Sequence, residues 1–246
     1  MNDPVFQELT RALNMRPAGA PPVRFWLRDD DAVTPTAALE HLLALTEAHD
    51  VPLTLAVIPA FSDAALAARL RRCAGVCVAV HGWSHQNHAP MEEKKQELGA
   101  HRPVAIVLEE LARGRAELLS RHGDQLLPVL VPPWNRIAPE VLEGLAPLGY
   151  LGVSVFGAER DDCPVRMVNT HIDVIDWRGT RGGRSEADLL AEIVPRIVRG
   201  QDIGVLTHHL VHDAAVWQFL ERLFATTAGH PACRWVGLAE LLNGAS

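Results

Sequence analysis

The sequence predicts an α/β fold, and within that class a single-domain (β/α) barrel spanning residues 1–246. Three observations carry this. Short, nearly continuous apolar runs alternate along the chain with longer segments of helical period, as parallel strands covered by helices require. Ionisable residues collect just after those apolar runs, at "RDDDA" (28–32), "HGWSH" (81–85), "PPWNR" (132–136), "DVIDW" (173–177) and "THHLVH" (207–212). Barrels place their chemistry at the C-terminal ends of strands. Finally, 246 residues that are 48% hydrophobic suffice for one sizeable core. An open doubly wound sheet is the second architecture, but the first strand runs into three aspartates, where a glycine-rich phosphate loop would stand.

The elements follow in order. "VRFWL" (23–27) is a β-rich run, and the helix after it starts with Thr34 as N-cap and Pro35 at its first position. "LTLAVIP" (53–59) is a strand, followed by a helix capped by Ser62. "GVCVAV" (75–80) is a strand. A long helix begins at Val104 and ends at Gly123. A strand over 127–133, a helix over 138–149 and strands over 150–156 and 166–176 come next. Helix 185–200, strand 202–209, helix 213–229 and two short closing segments complete seven or eight strands. The polar stretch 86–103 is long for a connection within a compact domain and is expected to be a mobile flap.

Composition narrows the function. A formal net charge of -7 argues against nucleic acid as partner. No apolar run is long enough to span a membrane. The opening "MNDPVFQELTRALNMRPAG" lacks a basic segment followed by an apolar one, and the four cysteines are few and scattered. Both features point to a cytoplasmic protein. The oligomeric state is left open.

His81 and His85 stand four apart, which puts two rings on one side of a turn. Zinc proteases share this spacing but carry Glu after the first His. Here Gly82 follows, which removes the protease base. Two imidazoles and one carboxylate make an open zinc site whose free position takes water. The aspartates at 29–31 supply the carboxylate. Neighbouring residues leaving a strand point different ways, so one Asp can bind the metal while the next reaches water as a general base. His88 is read as a loop anchor.

These residues resemble the polysaccharide deacetylases, the NodB-homology group also called carbohydrate esterase family 4. That family carries five motifs in order: a strand ending in Asp-Asp, His-x-x-x-His, an Arg-Pro-Pro-Tyr-type turn, Asp-x-x-Asp-Trp and a late Leu-x-His. The matches here are "DDDA" at 29–32, "HGWSH", "PPWNR", "DVIDW" and "LTH" at 206–208. The resemblance implies a distorted NodB-like (β/α) barrel of about seven strands. It also implies a metal-dependent hydrolase of a non-peptide amide, most readily an N-acetylated sugar or related compound. Aligning Ala32 with the family's Gly makes Asp31, His81 and His85 the ligands of one divalent ion, with Asp30 as base. A shift of one residue gives Asp30 as ligand and Asp29 as base. Zinc is the expected ion, with cobalt, nickel or iron as alternatives.

The resemblance further implies that the Trp134 N–H helps hold an oxyanion and that His208 is the general acid. It makes Asp176 the residue that orients that acid, with Trp177 as a wall of the substrate pocket. His209 and His212 are alternative acids if the register differs. One departure stands out: the family's Arg before Pro-Pro is Val131 here, and Arg136 or Arg28 is left to replace it. Arg136 is also placed among the substrate-binding residues. The departure motivates a second hypothesis, a catalytically silent barrel that binds a saccharide or metal. A urease-type amidohydrolase is disfavoured, since its first strand typically ends in His-x-His.

Overall fold

The structure is a computed structural model and describes residues 4–244. The elements in chain order are α1 (Pro4–Asn14), β1 (Val23–Ala32), α2 (Ala37–Ala48), β2 (Leu53–Val57), α3 (Ala64–Leu70) and β3 (Val76–His81). Then follow α4 (Val104–His122), β4 (Leu126–Val131), α5 (Pro139–Glu143), β5 (Gly152–Val153), β6 (Arg166–Met167) and β7 (Ile172–Asp173). The chain ends with α6 (Glu186–Arg199), β8 (Ile203–Thr207), α7 (Ala214–Thr227), β9 (Cys233–Trp235) and α8 (Leu238–Leu242).

The chain forms two compact units, neither continuous in sequence. The first holds the residues up to Asp29, then Thr36–Leu53 and Thr170–Gly237. The second holds Asp30–Pro35, Thr54–Asn169 and the residues from Leu238 onward. In the first unit β1 pairs in parallel with β8, from Phe25 opposite Ile203 to Asp29 opposite Thr207. Strand β8 also takes β7 in parallel, with Ile172 opposite Val205, and β9 lies beside the start of β1. In the second unit β2, β3, β4, β5 and β6 follow in that order. There His81 ends β3 opposite Val131, the last residue of β4. Every residue of β2 and β8 is buried, which fits sequences that are apolar but for Thr54 and Thr207.

Parallel strands alternating with helices are what the apolar pattern predicts. Several boundaries differ, each for a local reason. Helix α2 is capped by Thr36, whose hydroxyl accepts from Leu39 N, while Thr34 donates its hydroxyl to Asp63. Asp63 caps α3 in place of Ser62, accepting from Leu66 N at 2.7 Å. Ser62 instead accepts from Arg121 at 2.6 Å. The strand expected over 150–156 is reduced to Gly152–Val153. That expected over 166–176 splits into β6 and β7, because side chains replace the ladder between them. Asn169 accepts from Val155 N and donates to Ala158 O, and His171 Nδ1 accepts from Gly204 N. The helix over 138–149 is regular only through Glu143.

His122, at the end of α4, is buried with neither ring nitrogen hydrogen-bonded. Burial, with the charges of Arg121 and Arg71, pushes its pKa down to about 4. The folded protein therefore holds it neutral, whereas the unfolded chain protonates it near 6.5. Stability from this residue is full above about pH 6.5 and is lost as pH falls toward 4. Urea unfolding at pH 7 and at pH 4.5 is expected to show a smaller acid loss in His122→Leu than in the parent, by about 1–3 kcal/mol.

Candidate metal centre and associated histidines

In the second unit, three predicted ligands come together. Asp31, His81 and His85 each offer one ligand atom, and these atoms lie within 4.8 Å of one another. Asp31 Oδ1 stands 3.1 Å from His81 Nε2 and 3.3 Å from His85 Nε2. His81 is 2% exposed at the end of β3, and its Nδ1 is 2.9 Å from the Val131 carbonyl. An N–H at Nδ1 donated to that carbonyl leaves the Nε2 lone pair for an ion, the arrangement that fixes metal-binding histidines. Burial works against a charge on His81. The hydrogen bond to Asp31 and the charges of Asp30 and Asp31 outweigh it and leave the pKa raised. On His85, burial and the neighbouring His81 charge dominate, and its pKa is lowered. Asp31, rather than Asp30, is the aspartate that stands with the two imidazoles, and Asp30, its neighbour, is 3% exposed.

The local backbone is bent to make this possible. Asp31 (φ 74°), His85 (φ 55°), Trp134 (φ 55°) and Asn135 (φ 57°) all lie in the left-handed region. Such residues persist only where their surroundings hold them, and they concentrate at functional sites. Gly82 shares the bend (φ 57°), and a Cβ there would fall 2.0 Å from Glu97 Oε2 and 2.7 Å from Pro133 Cγ. Only glycine fits between the two histidines' turn and its support.

That support is Glu97, which is 1% exposed. Its carboxylate accepts from Ser84 N at 2.6 Å, Ser84 Oγ at 3.1 Å and Trp83 N at 3.3 Å. No spacing in the sequence marks it, because it lies in the stretch expected to be a flap. That stretch has no helix, but it is tied down. Asn87 Oδ1 accepts from Ala89 N and Gln96 N, His88 N donates to Gln96 O, and Leu98 bridges to Ile137. Its longest exposed run is 90–95. Glu97→Ala is expected to weaken metal binding about 10–100-fold, as loss of groups behind metal ligands does. Metal titration against a competing chelator measures it, and unchanged affinity would assign Glu97 to folding alone.

Trp134 follows β4 in a tight turn whose hydrogen bonds run from Asn135 N to Pro132 O and from Arg136 N to Pro133 O. The Trp134 amide takes no part in them. Its ring lies 4.3 Å from the His85 ring. Val131 contributes only its carbonyl, to His81, and its side chain is fully buried. Arg136 donates to Lys95 O at 2.9 Å.

The first unit holds the late histidines. His208 is half-buried, with its ring 4.8 Å from Trp177 and edge-on to it. His209 is 1% exposed and bonded through Nδ1 to Asp29 Oδ1 at 2.5 Å. Asp29 also accepts from Thr207 Oγ1 at 2.6 Å and from His209 N at 2.8 Å. Burial disfavours charge on Asp29, but His209, His212 and Thr207 together hold its pKa below the usual carboxylate range. His212 is pushed down to about 4, chiefly by burial, and its ring packs on Trp217.

Asp176 is placed differently from the orienting role the resemblance implies. Its carboxylate accepts from Gly179 N and Thr180 N and bonds no histidine. The carboxylate behind Trp177 is Asp173, which accepts from Trp177 Nε1 at 2.9 Å. Trp177 itself is 43% exposed.

No protein-family profile matches the sequence, and no curated protein sequence matches it. Solved structures do. A candidate polysaccharide deacetylase from Mycobacterium smegmatis aligns over 93% of this chain and 92% of its own, with TM-score 0.67 and 16% identity. A family 4 acetyl xylan esterase from Clostridium thermocellum, in complex with a cobalt ion, aligns over 89% and 90%, with TM-score 0.57 and 17% identity. A family 4 pseudoenzyme from Bacillus anthracis aligns over 90% of this chain and 66% of its own, with TM-score 0.62 and 16% identity. The α/β fold of this chain is the NodB-like fold of the polysaccharide deacetylases and family 4 carbohydrate esterases.

Proposed function

We propose that this protein is a metal-dependent hydrolase of non-peptide amides, removing the acetyl group from an N-acetylated sugar or a related compound. The observation that carries the reading is the Asp31–His81–His85 cluster, with three ligand atoms within 4.8 Å of one another. The donor set, and the His81 Nδ1 contact with the Val131 carbonyl, suit a divalent ion. Zinc is the first choice, with cobalt, nickel or iron as alternatives. Such an ion, when bound, polarises an acyl oxygen and makes water a better nucleophile at neutral pH.

The chain's own residues take the remaining roles. Asp30, next to the ligand Asp31, accepts the proton of the attacking water. The Trp134 N–H, left out of its own turn, is the donor assigned to the oxyanion. His208 gives its proton to the departing amine, with Trp177 as a wall for the substrate. Asp176 acts at one remove, closing the loop that carries Trp177. Asp173 holds the Trp177 indole in place.

The second reading is a silent saccharide- or metal-binding protein of the same fold. It is favoured by Val131, which replaces the family's arginine, and by the pseudoenzyme among the structural neighbours. One experiment separates the two. Metal-loaded protein is screened for amine release from N-acetyl sugars and their oligomers, with and without chelator. The hydrolase reading expects release that chelator and Asp30→Asn both abolish. Ligand binding without amine release from any of them supports the silent reading.

A further inference from the structure

A cavity of about 430 Å³ opens in the second unit beside the Trp134 turn. Its floor is apolar, formed by Leu142, Val153, Val155 and Met167. Val153 and Met167 are the last residues of β5 and β6, as His81 is the last of β3. The cavity therefore lies at the same strand ends as the metal centre. Trp134 joins the two: its ring touches His85, and the next two residues, Asn135 and Arg136, line the cavity.

The polar part of the lining is one-sided. It comprises Gln96, Asn135, Arg136 and Arg160, with two cations and no carboxylate. Arg136 is held by a single bond, from Nη1 to Lys95 O, and pairs with no acid. A guanidinium has five N–H donors, so most of its donor capacity is available. Arg160 has only a loose contact with Asp162, at 3.8 Å, and its side chain is 60% exposed. Lys95 Nζ stands 6.0 Å from the Trp134 ring. In a chain of net charge -7, two cations in a cavity lined by no carboxylate, with Lys95 beside the same turn, make a local field that suits an anion. Guanidinium groups recognise carboxylates in a fork geometry.

We propose that this cavity recognises a carboxylate on the non-reacting part of the substrate, so that the preferred compounds are acidic N-acyl sugars rather than neutral ones. The inference rests on the hydrolase reading for the word substrate, but binding tests it without turnover. Calorimetric titration of the metal-loaded protein compares N-acetylglucosamine, the corresponding N-acetylglucosaminuronic acid and that acid's uncharged carboxamide. The acid is expected to bind about tenfold or more tightly than either neutral compound at low salt. The preference shrinks as ionic strength rises. Arg136→Gln is expected to remove it and Arg160→Gln to reduce it. The exposed Arg160 provides the test should Arg136→Gln fail to fold. Equal binding of acid and carboxamide, or a preference that survives both substitutions, overturns the proposal. A protein that prefers the acid but releases no amine keeps this site and refutes only the hydrolase reading. One that releases amine from acid and carboxamide without preference does the reverse.

Discussion

Replacing His81 by Ala is expected to empty the metal centre while leaving the protein folded. His81 supplies one of three ligand atoms, and its ring is oriented by the Val131 carbonyl. Four-ligand zinc sites are worth about 10–16 kcal/mol in total, so losing one of three ligands is expected to weaken binding on the order of 10²-fold or more. His85→Ala is expected to do the same with less effect on packing, because its side chain is 24% exposed against 2% for His81. The measurement is metal content after dialysis, beside a thermal unfolding curve. If both variants retain full metal, the cluster is a hydrogen-bonded acid–imidazole group and the hydrolase reading loses its foundation.

The second large effect separates two adjacent histidines. His208→Ala is expected to lower kcat by about 10²–10⁴, the usual share of general acid catalysis, with metal and stability retained. Its ring is half-buried and edge-on to Trp177. His209→Ala is expected to act on stability instead. It strips Asp29, fully buried, of its closest partner. Removing one member of a buried ion pair costs about 3–5 kcal/mol. Urea unfolding and steady-state kinetics on both variants give the comparison. A greater kcat loss in His209→Ala, with both proteins folded and metal-loaded, would transfer the acid role to His209.

The candidate metal cluster was readable in the sequence because HxxxH after one apolar run and an acid after another need no knowledge of the fold. Which aspartate joins the two histidines was not readable. Strand alternation alone gives two registers; in the structure Asp31, with left-handed backbone, is the one within 3.1 Å of His81 and 3.3 Å of His85. Asp29 was the least legible of the three. Its partner His209 is 180 residues away, and no local pattern links them. Asp173 and Asp176 exchange emphasis for a similar reason: both follow an apolar run, and only the loop to Gly183 shows which carboxylate closes the turn and which reaches the indole. Glu97 lay among charged neighbours and gave no signal. The helix caps fell one or two residues from their expected places because Thr34 and Ser62 serve tertiary bonds instead.

The Asp29–His209 bond has a consequence for synthesis on the ribosome. The imidazole that partners Asp29 near the end of strand β1 comes 180 residues later, just after β8. At about 5–20 residues per second, β1, an apolar strand ending in three acids, waits roughly ten to forty seconds for β8 and for that imidazole. The negative charges at its end act as gatekeepers during that interval, discouraging association with other nascent chains. Exchanging Asp29 for an apolar residue would therefore reduce soluble yield even where the finished protein tolerated it.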